Sequence, residues 1–162
     1  MSQADNSRQF RDALGRFATG IAVVTACAPD GQLIGLTINS FNSVSLNPPL
    51  VLWSLDKHSP NRAAFIAASH YAINILSAEQ EAISQHFATR QDDKFASIAW
   101  EAGLGGAPLL PGCCAQFQVE NQVQHPGGDH LIFVGQVAAF TQNPELEPLL
   151  YFGGSYRQLS PR

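Results

Sequence analysis

Long apolar runs are missing: no stretch of the 162 residues approaches the roughly twenty uninterrupted apolar residues that a membrane-spanning helix needs. The opening MSQADNSRQF also lacks the apolar centre of a secretory leader, so no membrane association is expected and the cytoplasm is the expected compartment. Positive charge is scarce too. Nine Lys and Arg against thirteen Asp and Glu leave a formal net charge of -4, which provides no basic field for phosphates, and no nucleic-acid partner is expected. The three cysteines, two of them adjacent as Cys113 and Cys114, fit neither a paired disulfide framework nor the CxxC spacing of zinc sites, and are expected reduced, buried and without function. The five histidines show no HExxH or comparable spacing, so no metal is expected. A GxSxG nucleophile elbow and a GxGxxG turn are absent as well, which argues against a hydrolase elbow and a Rossmann dinucleotide site.

What is present is a chain 45% hydrophobic and 14% charged, the balance of one compact domain. Ser7 is placed to cap a helix whose Phe10, Ala13, Leu14 and Phe17 recur on one face, with Gly20 as its exit, and that face is expected against the core. Ile21–Ala28 and the run QLIGLTINS flank the turn residues Pro29-Asp30-Gly31 and predict a hairpin. Leu50–Asp56 and Tyr71–Ser77 have strand length, separated by a helix from Pro60 to about Ser69. Ser77 and Gln80 have capping-box spacing for a further helix through Phe87. From Cys114 onward Phe117, Val119, Asn121 and Val123 alternate with polar residues, and after Pro126-Gly127-Gly128-Asp129 the run His130–Phe140 returns as a partner strand. A four-residue turn would close His125 onto His130 and set His130, Ile132 and Val134 inward with Val123 and Val119. Gln91–Gly112 lacks periodicity and is expected to cover the core irregularly. Hairpins with interleaved helices predict a mainly β fold with helices, an antiparallel barrel or curled sheet.

Two clusters carry chemistry. In GLTINSFNSVS (Gly35–Ser45), Gly35, Thr37 and Asn39 share one strand face, while Ile34, Leu36, Ile38 and Ser40 share the other. The first face has little bulk and many hydrogen-bonding groups, so a flat heteroaromatic ring would fit it, with close backbone approach at the glycine; equally, Thr and Asn could end an edge strand. In SLDKHSPNR (Ser54–Arg62), Ser59 would be N-cap and Pro60 the first helical residue, leaving the amides of Asn61 and Arg62 for an anion, with Ser54 and Lys57 adding donors. A plain helix cap explains Ser59-Pro60 as well. Taken together the clusters describe a phosphorylated planar ligand.

These residues carry a resemblance. FATGIAVVT, GLTINSFNSVSLNPPLVLWSL, SPN, YAINILS, DKF, GDHLIFVGQV and PLLYFGGSY, in this order from about Phe10 to Tyr156, resemble the short-chain flavin reductases. The resemblance implies a single flavin reductase-like domain over residues 1–162, its core about 10–158, with the Greek-key, FMN-binding split β-barrel fold. It implies a homodimer that binds FMN or FAD and reduces it with NADH or NADPH, supplying reduced flavin to a flavin-dependent monooxygenase. By position, Thr37, Ile38, Asn39 and Ser40 would line the isoalloxazine. Ser54, Leu55, Lys57, Ser59 and Asn61 would follow the ribityl chain and phosphate, and Phe87 and Lys94 would add flavin contacts. His130, in Gly128-Asp129-His130, would face the flavin and orient the nicotinamide or stabilise charge at transfer. Tyr151, Gly153, Gly154, Tyr156 and Arg157 would lie beside the nicotinamide nucleotide, although the two glycines could equally form a turn. Two other classes fit the same pattern: an electron carrier of this fold without nicotinamide activity, and a non-catalytic β-barrel interaction module.

Overall fold

The computed structural model describes residues 3–161. Its helices are α1 (Gln3–Leu14), α2 (Arg62–Ala67) and α3 (Glu81–Ala88). The strands are β1 (Thr19–Gly20), β2 (Ala22–Cys27), β3 (Leu33–Ile38), β4 (Asn42–Leu46), β5 (Pro49–Asp56), β6 (His70–Ile75), β7 (Glu101–Ala102), β8 (Pro108–Leu109), β9 (Ala115–Gly127), β10 (His130–Gln142), β11 (Leu150–Phe152) and β12 (Ser155–Arg157). Seven strands form one sheet in the order β3-β2-β6-β9-β10-β5-β4, and β1-β11-β12 form a small second one. Neighbours pair antiparallel throughout. β5 and β6, consecutive in the chain, are held apart by the β9–β10 hairpin, a crossing of Greek-key type.

The aromatic core shows that the large sheet curls. Trp53 on β5 meets Tyr71 on β6 edge-on with ring centroids 5.7 Å apart, although two strands lie between them. A flat sheet would separate those strands by roughly 14 Å. Phe133 on β10 stacks on Trp53 at 4.6 Å inside the same curl. The edges β3 and β4 do not pair; instead the Ser54 amide donates to Ser40 Oγ at 3.0 Å across the gap. The result is the mainly β, antiparallel split barrel expected from the sequence.

β2 is buried on both faces because it divides two cores. Ala22, Val24 and Ala26 face the curl, whereas Val23 packs with Leu76, Phe87, Phe95 and Leu110 on the outside, under α3 and the 91–112 segment. That segment is largely irregular, as expected, and Asn74 pins it. The buried Asn74 amide nitrogen donates to Val23 O at 3.1 Å and Pro108 O at 3.4 Å, and its carbonyl accepts from the Leu110 amide and Gln116 Nε2, each at 2.9 Å.

Several expectations need correction. Ser7 lies inside α1 rather than capping it, and the helix ends at Leu14, with the Gly15 amide bonded to Arg11 O, not at Gly20. Its apolar face does not reach the core: Phe10, Leu14 and Phe17 are 64%, 58% and 76% exposed. Neither hydrophobic core includes a residue of α1: the curl is filled from the strands and α2, and the outer core lies under α3 and the 91–112 segment. α2 starts at Arg62, two residues later than Pro60. Gln80 Oε1 does accept the Ser77 amide at 3.0 Å, one half of the expected capping box, but α3 begins only at Glu81. Of the cysteines only Cys113 is buried; Cys27 and Cys114 are partly exposed.

The long hairpin also differs. His130 pairs with Gly127, so the turn is Gly128-Asp129 alone, with Gly128 at φ +68°, and Ile132 rather than His130 faces His125. A bulge at Gln122, where Val134 pairs with Val123 but Gly135 with Asn121, reverses the alternation. Val119 is therefore buried and Val123 is 44% exposed. Since Phe133 is fully buried, its neighbours Ile132 and Val134, and His130 with them, lie on the outer face.

Candidate active site

The end of β3 is where three hollows meet. One, of about 220 Å³, is lined by Thr37, Ile38, Asn39, Ser84, Tyr151 and Tyr156. A second, of about 880 Å³, contains Asn39, His130, Tyr151, Gly153 and Gly154. A third, of about 260 Å³ and mainly apolar, adjoins them at Ile38, Asn39 and Phe41. Asn39, the first residue past β3, belongs to all three. Strand geometry and the small β1-β11-β12 sheet thus bring Tyr151 opposite Thr37–Asn39, because β11 pairs with β1 immediately before β2.

Hydrogen bonds make the first hollow rigid. Thr37 Oγ1 donates to Ser84 O at 2.6 Å, and Ser84 Oγ and Tyr156 Oη are 2.9 Å apart. The rings of Tyr151 and Tyr156 meet edge-on at 5.7 Å. The result is a slot with polar groups on one rim and aromatic faces on another, suited to a flat ring with hydrogen-bonding edges. Ser40 and Ser54, expected along the ligand, are bonded to each other and hold the split in the barrel.

Gly35 does not leave room for a ligand. The Phe87 ring fills the space above it, so that a Cβ at Gly35 would lie 2.7 Å from Phe87 Cδ1 and Cε1. Phe87 itself is fully buried and stacks at a tilt on Phe95. Its place is the core beneath the site, not a ligand-contacting wall. Close packing of α3 on β3 requires both the glycine and the ring.

A further hollow of about 220 Å³ joins the slot at Ala88 and is lined by Leu55, Asp56, His58, Ser59, Asn61, Arg90 and Lys94 among others. The amides expected to serve an anion there are engaged: Asn61 N–H donates to Ser59 Oγ at 3.3 Å and Arg62 N–H to Ser59 O at 3.2 Å. α2 is only six residues long, and Asn61, not Ser59, precedes it. Lys57 turns the other way, its Nζ donating to Gly128 O at 2.5 Å and its amide to Asp129 O, which ties it to the β9–β10 turn. Lys94 Nζ donates to Phe87 O at 2.7 Å and Gly35 O at 3.1 Å, and burial lowers its pKa. It joins the C-terminus of α3 to β3. Positive charge at this end also comes from Arg90, which sequence reasoning missed because it sits in a loop with no pattern.

At the other end His130 Nδ1 lies 2.7 Å from Asp129 Oδ1. That hydrogen bond and the His130 charge hold the Asp129 carboxyl below its ordinary range. Gly153 and Gly154, at φ +59° and +79°, form the tight β11–β12 turn and line the large hollow as well. Arg157 ends β12 and is exposed.

The family model for the flavin reductase like domain matches residues 14–160. The chain belongs to this family. FMN reductase (NADH) SmoA of Agrobacterium fabrum is 46% identical over 156 residues, covering 96% of this chain and 88% of that protein. The reductase component of a flavin-dependent trigonelline monooxygenase from Acinetobacter baylyi is 43% identical over 96% of this chain, which spans 50% of that protein. Among solved structures, NADH:FAD oxidoreductase SgcE6 of Streptomyces globisporus is 36% identical with a TM-score of 0.93, covering 100% of this chain and 98% of its own. A second SgcE6 structure, in complex with NAD and FAD fragments, has a TM-score of 0.92 at 36% identity, covering 99% and 97%. In this flavin reductase domain, the slot at Thr37–Asn39 and the hollow lined by Arg90 and Lys94 are neighbours that share Ala88 as a wall.

Proposed function

We propose that the protein is an NAD(P)H:flavin oxidoreductase that transfers hydride to FMN or FAD and supplies reduced flavin to a flavin-dependent monooxygenase. The observation that carries this reading is the junction at Asn39 and Tyr151, where a ring-sized slot and a hollow of about 880 Å³ share a wall. Two flat ligands entering from either side can meet there face to face. When both are bound, the cofactors would supply the chemistry, a hydride transfer from nicotinamide to flavin, and the chain would supply the binding and orientation.

The chain's own groups bind and orient. Ile38, Asn39, Tyr151 and Tyr156 hold the ring, and Thr37, engaged with Ser84, keeps the slot's rim in place. Arg90, with the side chains of Ser59 and Asn61, receives the phosphate, in a hollow whose wall the engaged Lys94 and the buried Leu55 complete. His130, positioned by Asp129, lies at the edge of the nicotinamide side, where its ring orients the donor. No protein nucleophile is required, which agrees with a site of hydroxyls, amides and rings.

Assembly follows from the exposed apolar surface. Phe10, Leu14 and Phe17 on and beside α1, Val44 and Leu46 on β4, and Phe140 on β10 stand in solvent in a single chain, and together they support a homodimer that covers them. Among the described residues no helix is long and apolar enough to cross a membrane; the proposed setting is the cytoplasm.

The test is anaerobic mixing of the flavin-loaded protein with NADH or NADPH. Bleaching of the flavin absorbance is expected, and His130→Asn should slow it in single turnover with flavin affinity unchanged. Flavin binding without bleaching would instead identify an electron carrier, and failure to bind flavin an interaction module.

A further inference from the structure

The large hollow has a cationic wall to which the proposed transfer step assigns no role. Arg16, just past α1, lines it together with Arg11, beside the β11–β12 turn, whose Gly153 amide donates to Gly15 O at 2.9 Å. The Arg16 guanidinium lies over the Phe152 ring, 4.6 Å from its centroid. Stacking uses the flat face of a guanidinium and leaves the five N–H donors around its edge. Among the described residues no carboxylate lies within ion-pair distance of it. Asp12 is the acidic member of the same wall, and Arg11 Nε reaches Ser7 O at 3.4 Å within α1.

A ring that reaches Asn39 from this side leaves the remainder of its molecule inside the hollow, whose volume suits a ligand larger than a ring. A nicotinamide dinucleotide brings a doubly charged pyrophosphate to a chain with net charge -4 and no GxGxxG turn to receive it. We propose that Arg16, supported by Arg11, binds the pyrophosphate of the nicotinamide dinucleotide, with Phe152 holding the guanidinium in place. The inference rests on the reductase reading above and adds the group that selects dinucleotides as donors. α1, whose exposed apolar residues support the dimer, also carries the anion-binding wall through Arg11.

The experiment is steady-state kinetics with FMN as acceptor and two hydride donors, NADH and reduced nicotinamide riboside, which carries no phosphate. Arg16→Gln should raise the KM for NADH about tenfold, the scale of a lost charge-assisted hydrogen bond. The KM for FMN and the rate with reduced nicotinamide riboside should stay at parent values, which also shows that the variant is folded. Arg16→Lys, keeping charge but not the stacked fork, should fall between the two. Added salt should raise the KM for NADH more steeply in the parent than in Arg16→Gln. An unchanged KM for NADH would overturn the proposal. So would equal slowing with both donors, which would make Arg16 part of the ring slot. A raised KM for FAD with none for FMN would assign the guanidinium to the flavin's own pyrophosphate and overturn it too. A parent protein that oxidises NADH with neither flavin would defeat the reductase reading itself, a result seen before any variant is made.

Discussion

Gly35→Ala tests how α3 and β3 together shape the flavin slot. A methyl group there would sit 2.7 Å from two ring carbons of Phe87 and 3.1 Å from Phe95 Cζ, where ordinary contact begins near 3.4 Å. Neither ring can swing away, since Phe87 is fully buried and Phe95 is 6% exposed, so the helix itself must shift. Overpacking of this kind costs about 1–3 kcal/mol, offset by about 0.4–1 kcal/mol because alanine restricts the unfolded chain. A net loss of about 1–2 kcal/mol corresponds to a Tm lower by roughly 3–6 °C in a domain of this size. Because Ser84 and Ala88 ride on α3 and line the slot, flavin affinity should fall several-fold with stability. Guanidinium denaturation followed by Trp53 fluorescence measures the first effect and flavin titration the second. Combining Gly35→Ala with Phe87→Leu should recover part of the loss, with a favourable coupling of about 1 kcal/mol in the double-mutant cycle. A Gly35→Ala protein as stable as the parent would show that Phe87 does not occupy the glycine's space, and the account of the slot would fail with it.

Asn74→Ala removes the partner of the Leu110 amide and of Gln116 Nε2; it should cost about 2–4 kcal/mol in denaturation and expose residues 91–112 to limited proteolysis, and a stability within error of the parent would refute the pinning role. Burial pushes the Cys113 thiol up to about 12, against a weaker opposing hydrogen bond from Gln80. Its folded pKa lies above its unfolded one, so this contribution is intact below about pH 9 and is lost as pH rises toward 12. The parent should therefore lose stability above pH 9 faster than Cys113→Ala, and parallel pH profiles would contradict the assignment. Arg90→Ala should weaken FMN about tenfold while leaving riboflavin, which has no phosphate, unchanged in fluorescence titration; equal weakening of both would move Arg90 away from the phosphate.

Strand positions were legible because their pattern is local. Alternation in Gln116–Val123, the Pro29-Asp30-Gly31 turn and the apolar runs of β5 and β6 depend only on which residues follow one another, and the backbone responds to that directly. The polar end of β3 at Thr37–Asn39, which lines a hollow, was legible for the same reason, and the ordered motifs pointed to the family. Other features depended on residues distant in the chain. Gly35 reads as open space in a strand, but Phe87, about fifty positions later, fills it. Ser59 reads as a helix cap, yet its hydroxyl and carbonyl close a turn that delays α2 to Arg62. One extra residue at Gln122 turns His130 and Val123 outward, since a bulge has no residue signature here and reverses every side chain beyond it. Arg16 and Arg90 have no pattern of their own and acquire meaning only from the hollows that β11, α1 and α3 enclose. Local periodicity thus determined which segments are strands and which motifs they carry. Which face is buried, what fills each gap and which charges line the groove were decided by packing between segments that only the folded chain brings together.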